Sequence, residues 1–378
     1  MLRSSTVPSH QNRTLNLQPY NQLRSLMPRL QQPLVIGVAG NLMAGKAAYV
    51  QLLSRILGPE LVSSFDLSHY YLKHPTAQPS LEVLDPKCYD LDRAAADLQT
   101  LKQGNSLTLK NELDGRETVI KPTPIIGVQG LHSLYPQLLP HIDFGIFLCK
   151  SYELAWNYSF DRYVTQGGLE VADFEDHMVA QDKAYKDWIE PQQKDAHLLE
   201  IASPSSLKDF AAPHLLDGST LPQCPKIQLV LDPITTTSPS LSCLLDLGQM
   251  LTLNHHPMMV AVVPSVFWGK KVVRIHIDGF FSQESIEVLI QQIHSFSATP
   301  TTATHLLNEI LGITTPVPAG PEDSLGEEEE QPDMLSAPNL SQLIVIWRVL
   351  EEIKSLVLSR LEAGTLKLHS GPFAGLAV

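Results

Sequence analysis

The sequence predicts an α/β fold: a P-loop-type parallel sheet with helices on both faces, a C-terminal antiparallel strand portion and a long terminal helix. Three observations carry this. Residues 33–39, Pro-Leu-Val-Ile-Gly-Val-Ala, run into Gly40-Asn41-Leu42-Met43-Ala44-Gly45-Lys46-Ala47, a G-x-x-x-x-G-K frame between a strand pattern and a helix pattern. Further short apolar runs alternate with helical patterns, as parallel strands buried on both faces do. After about residue 205 the strands alternate apolar and polar residues, the mark of half-exposed antiparallel pairing.

Taken in order, 33–39 is a buried strand and 46–57 a helix with Val50, Leu53 and Leu57 on one face, ended by Gly58-Pro59. Strands are expected at 61–65, 124–129 and 143–149. A helix at 90–103 stops at Gly104, with Leu91, Ala95, Leu98 and Leu101 inward. Residues 151–190 read as mostly helical, and 197–201 as a strand of the same sheet. Strands follow at 227–232, 258–263 and 271–277, then a helix at 282–294. Residues 312–338, rich in Pro and acid and including Glu327 to Glu330, read as a solvated, mobile loop. A helix at 339–361 is built on Leu343, Trp347, Leu350, Ile353 and Val357. The expected organisation is a flexible extension at 1–32, a core at 33–205, a C-terminal portion at 206–365 and a tail at 366–378. No internal repeat is evident.

Composition narrows the function classes. The 378 residues are 43% apolar, enough for one large core or two domains. The formal charge of −13, with no basic stripe, argues against nucleic acid and anionic membrane as partners. No apolar run approaches a membrane span. Residues 1–32 carry Arg3, Arg13, Arg24 and Arg29 and no acid, which suits either a transit peptide or a flexible extension. The expected location is the cytoplasm, or a plastid on the transit-peptide reading. Cys88, Cys149, Cys224 and Cys243 show neither C-x-x-C nor zinc spacing. His255-His256 has no third spaced ligand, and His69 and His74 share neither a helix face nor a strand face. No metal site is read here.

The chain resembles the phosphoribulokinase/uridine kinase family, and within it the phosphoribulokinases of oxygenic photosynthesis, over roughly residues 33–365. The P-loop is one carrier. Others are Val62-Ser63-Ser64-Phe65-Asp66-Leu67-Ser68-His69, Leu84-Asp85-Pro86, Tyr89-Asp90-Leu91 and Gln129-Gly130-Leu131-His132. Ala155-Trp156 with Asp161, Trp188-Ile189-Glu190-Pro191-Gln192, Val272 to Phe281 and Asn339 to Arg348 complete the set. The resemblance implies a P-loop kinase fold and phosphate transfer from ATP to the hydroxyl of ribulose 5-phosphate. In such a reaction a carboxylate accepts the hydroxyl proton, while Mg²⁺ and cations neutralise the developing charge.

The site residues divide sharply under that resemblance. The nucleotide cradle is Gly40, Asn41, Ala44, Gly45, Lys46, Ala47 and Ala48, on a helix N-terminus that favours anions. Asp66 occupies the position of the catalytic base. His69, Lys73 and Asp161 are the candidate substrate contacts. Ala47 stands where a Ser or Thr would hold Mg²⁺, and Gln129 where a Glu is expected, so the metal set is eroded. Leu67 replaces a second Asp. Asn157 and Phe160 replace a Lys and an Arg of the lid, and Gln181-Asp182 replaces an Arg–Lys pair. Lys73 stands for an Arg, a poorer bidentate phosphate contact. The two cysteines that make a redox switch in the family are Ala44 and Ser64 here.

Three readings follow. The chain is a kinase of reduced activity, using ATP. It is a catalytically silent binding or regulatory protein, pairing with itself as a homodimer or with an active paralogue. Or it is a kinase for another sugar phosphate or nucleoside, with metal held by Asp66 and water.

Overall fold

The computed structural model of the chain describes residues 26–30, 32–72, 81–110, 117–207, 224–232, 245, 258–296 and 334–362. Lys73, His74, Cys243, His255-His256, the acidic stretch up to residue 333, most of the 1–32 extension and the 366–378 tail lie outside the described residues.

In chain order the elements are β1 (Leu34–Gly40), α1 (Lys46–Leu57), β2 (Val62–Asp66), α2 (Leu91–Lys102), β3 (Leu107–Lys110), β4 (Glu117–Ile120), β5 (Ile125–Gln129) and β6 (Phe144–Lys150). Then come α3 (Tyr152–Phe160), α4 (Val171–Ala184), β7 (Leu198–Ser203), β8 (Lys226–Leu231), β9 (Met258–Phe267), β10 (Lys270–Ser282), α5 (Glu287–His294), β11 (Met334–Ser336) and α6 (Ala337–Glu362). One nine-stranded sheet has the order β11-β10-β8-β7-β6-β1-β5-β2, with β9 on the other edge of β10. β1, β2, β5, β6 and β7 run parallel. β8 joins β7 antiparallel, with Leu198 opposite Leu231. The C-terminal antiparallel strands therefore continue the parallel sheet, while β3 and β4 pair antiparallel in a separate two-stranded sheet.

β1 is buried along its whole length, so its residues serve both faces. Leu34, Ile36 and Val38 face the helices α1, α5 and α6, while Val35 packs toward α2 and the β3–β4 hairpin. This two-sided burial explains the unbroken apolar run. The expected α1 stripe is present, with Val50, Leu53 and Leu57 at 2% exposure or less. On α6 the five expected residues, Leu343, Trp347, Leu350, Ile353 and Val357, are all buried.

Three expectations are corrected. The C-terminal strands are longer than their alternation suggested. β9 and β10 form a hairpin whose two-residue turn, Trp268 at φ +47° and Gly269 at φ +77°, has the left-handed backbone of a type I′ turn. Residues 334–338, expected within the solvated loop, are instead β11 and the start of α6. β11 pairs with Phe280–Ser282 and buries Leu335 completely. Because β10 runs to Ser282 to meet it, the helix expected from 282 begins as a 3-10 turn at Glu284–Ile286 and is α-helical only from Glu287. Among the described residues no helix is long and apolar enough to cross a membrane.

α6 closes one face of the sheet around Trp347, which is 0% exposed. Trp347→Ala is expected to lower unfolding stability by roughly 3–5 kcal/mol, the usual cost of a large core cavity, read as a shift in the urea midpoint.

Candidate phosphate-binding site

The site lies at the carboxyl ends of the parallel strands, where α/β sheets place their ligands. β1 ends at Gly40, whose φ is +138°. A Cβ there would lie 1.9 Å from the Leu148 carbonyl oxygen on neighbouring β6, so only glycine fits. The Asn41 N–H donates to the same carbonyl at 2.9 Å, pinning the loop to β6. Gly45, at φ +81°, caps α1 and turns the chain into it. The sequence frame thus does what its glycines require.

Lys46 reaches back over its own loop. Its Nζ donates to the Asn41 carbonyl at 2.6 Å and lies 3.4 Å from that of Gly40. Burial lowers this ammonium to about 8; Asp66 opposes the fall and Lys150 adds to it. Lys46, Asp66 and Lys150 are therefore electrostatic neighbours.

Asp66 ends β2. Its Oδ1 accepts the Ser68 N–H at 2.8 Å and caps the following 3-10 turn. Its Oδ2 accepts from Gln129 Nε2 at 3.0 Å. The amide orientation follows from chemistry, since the reverse would set a carbonyl against a carboxylate. β2 and β5 place these residues opposite each other in parallel register. The loss of the expected Glu at 129 is thus a substitution with a structural consequence: a neutral donor now bonds the carboxylate directly.

That arrangement fits Mg²⁺ poorly. A magnesium site beside substrate phosphates uses one or two carboxylates together with a hydroxyl from the loop. Here Ala47 offers a methyl group, Gln129 turns its nitrogen to Asp66, and both Asp66 oxygens already accept hydrogen bonds. Among the described residues no group of three or more His, Cys, Asp or Glu could hold a metal.

The lid region, α3 to α4, behaves differently from its cation-poor reading. Phe160 and Trp156 both pack edge-on against Phe174, at 5.3 and 4.9 Å between ring centres, so α3 and α4 are joined by an aromatic core. Asn157 and Phe160 supply no charge, as expected. Two unanticipated cations reach the P-loop instead. Lys150 Nζ donates to the Met43 carbonyl at 3.0 Å, and Arg162 Nη1 sits 2.7 Å from Met43 Sδ. Lys150 also lies 4.5 Å from the centre of the Tyr158 ring. Lys150 was discoverable: it ends an apolar strand beside β1, on the edge where ligands bind. Arg162 gave no such signal, because its direction depends on the π-helical turn at Asp161–Thr165.

Of the remaining candidates, Ala44 and Ala48 belong to the loop and the first turn of α1, the Ala48 N–H donating to the Gly45 carbonyl at 2.9 Å. His69 is half-buried in the turn after Asp66. Asp161 is exposed and accepts from Gln166 Nε2 at 2.8 Å, which makes it a brace of its own turn. The loop helix is anchored from below by Glu200 on β7, which accepts from Tyr49 on α1 and from Ser341 on α6 at 2.7 Å. Burial raises the Glu200 carboxyl, while these two donors oppose the rise.

Comparison with known proteins agrees with this geometry. Residues 35–205 match the family model described as Phosphoribulokinase / Uridine kinase family. That match spans the P-loop core, a little under half of the chain. The phosphoribulokinase of Synechocystis sp. is 25% identical over 292 residues, covering 75% of this chain and 87% of that protein. The chloroplastic phosphoribulokinase of Triticum aestivum is 21% identical over 287 residues, 67% and 69% of the two chains. A uridine kinase of Chloroflexus aurantiacus is 26% identical over 180 residues, 44% of this chain and 86% of that one. The solved phosphoribulokinase from Rhodobacter spheroides aligns over 64% of this chain and 90% of its own, at 12% identity and a TM-score of 0.43.

Gly40→Ala is expected to cost roughly 1–3 kcal/mol from backbone strain alone, more with the Leu148 clash. Lys46→Ala, which removes no backbone requirement, should leave the thermal midpoint nearly unchanged. Parallel melts of the two variants check this.

Proposed function

We propose that this chain binds ATP at its P-loop and phosphorylates ribulose 5-phosphate weakly or not at all, acting as a nucleotide-binding, regulatory partner of itself or of an active paralogue. The observation that carries the reading is the Gln129–Asp66 hydrogen bond, together with Ala47 after the loop lysine. Phosphoryl transfer is catalysed by position and charge. By the resemblance, Asp66 is the residue that would accept the sugar hydroxyl proton. Lys46 and the α1 N-terminus favour the phosphates. What is lost is charge compensation: the hydroxyl at 47 and the carboxylate at 129 are both absent. A bound metal contributes several kcal/mol to such a transition state, and each ~1.4 kcal/mol is a factor of about ten in rate.

An assay coupling ADP release to NADH oxidation, with ATP and ribulose 5-phosphate, tests the reading. Turnover should fall orders of magnitude below that of the Synechocystis enzyme run alongside. Matching rates would overturn it.

Lys46 sets the expected pH dependence. An anion binds its protonated form, and burial brings that form's titration to about 8. ATP affinity should therefore be full below pH 7 and decline as pH rises through 8. Calorimetry from pH 6.5 to 9.5 measures it. A flat profile would show that Lys46 does not carry the phosphates.

A further inference from the structure

The cations on Met43 take on meaning beside the poor metal fit. The P-loop crown is gripped from two sides by groups that come from different elements: Lys150 from the end of β6 and Arg162 from the lid. Neither stands at 157 or 160, where the resemblance expects lid cations. Their present acceptors are poor ones. A thioether is a weak hydrogen-bond acceptor for a guanidinium, and a single neutral carbonyl is a modest one for an ammonium. Phosphate oxygens bind both far better, through charge-assisted bonds. Met43 is itself held at φ +54° and is 44% exposed, so its side chain can yield to a ligand.

The charge count at the loop changes accordingly. Lys46, Lys150 and Arg162 bring three positive charges to the cradle, and Asp66 is the carboxylate facing them. Asp66 is tied to Gln129 and Ser68 rather than left free to draw in a cation. The carboxylate at 66 is bonded to an amide, and two cations stand at the loop crown on Met43.

We infer that the P-loop binds a nucleoside triphosphate in its metal-free form, with Lys150 and Arg162 taking the place of Mg²⁺ as counter-charge to the phosphates. This rests on the nucleotide-binding reading above. It goes beyond that reading by naming the ligand's form and two residues that supply the charge. The geometry also gives the lid a role: Arg162 couples α3 to the loop through the phosphate in place of Met43.

Calorimetry of the full chain with ATP, in EDTA and in excess Mg²⁺, tests this together with two variants. The wild type should bind with dissociation constants that agree within about threefold between the two conditions. Lys150→Met with Arg162→Met keeps the aliphatic packing and removes the charges. It should bind about tenfold or more weakly in EDTA, with Mg²⁺ restoring part of the loss. A merely structural role for the two residues would not create such a metal dependence. Ala47→Ser with Gln129→Glu should move the other way and bind ATP more tightly with Mg²⁺ than without it. Wild-type binding that needs Mg²⁺, or a double Met variant that binds as the wild type does in EDTA, would overturn this inference and leave the nucleotide-binding reading standing. Absence of binding in both conditions would overturn both.

Discussion

The close contact between Gly40 and the Leu148 carbonyl is the constraint on which the rest of the site depends. It requires β1 and β6 to be adjacent, in register and parallel, and it allows no side chain where the loop leaves the sheet. That adjacency in turn needs β1 buried on both faces. α1 and α6 supply one cover, α2 and the β3–β4 hairpin the other. Once the loop is pinned, Gly45 can only turn into α1, and Lys46 can only fold back across the carbonyls of its own loop. The Tyr49–Glu200–Ser341 link then fastens α1 to the middle of the sheet and to α6. The long terminal helix is thus mechanically part of the site it does not touch.

Charged groups inside that frame are paired through hydrogen bonds at the strand ends. A carboxylate pair facing a metal balances strong opposing charges at short range. Removing the metal alone would leave like charges together at high cost. At position 129 this chain has an amide, which donates to Asp66 instead. The same logic applies to the lid. Phe160 on Phe174 makes the α3–α4 contact apolar, and the charge reappears at Lys150 and Arg162 against the loop crown.

Much of the architecture was legible because it rests on local pattern. The apolar run at 33–39, the glycines at 40 and 45, the α1 stripe and the α6 stripe each encode burial or backbone geometry directly. β11 was hidden because three residues carry no period, and their strand character comes from pairing with the far end of β10. The β9–β10 hairpin was read short because the residues beyond 263 open on Pro264 and include Val266, which is apolar yet exposed. Trp268-Gly269 is also an uncommon composition for its turn type. At the site, Asp66, Lys46, Ala47 and Gln129 were all readable as positions, and Lys150 and Arg162 were not singled out.

The sequence by itself determined which chemical groups this protein possesses: a G-x-x-x-x-G-K loop, a carboxylate at 66, and no hydroxyl at 47 or carboxylate at 129. Those are properties of residue type and spacing along short segments. The tertiary structure alone decided what the groups do to one another. Asp66 and Gln129 are 63 positions apart and bond because β2 and β5 pair in register. Arg162 and Met43 are 119 apart and meet because the turn after α3 lies against the loop. Hydrogen bonds and charges act through distance in space, and strand pairing and helix packing, rather than sequence spacing, set that distance.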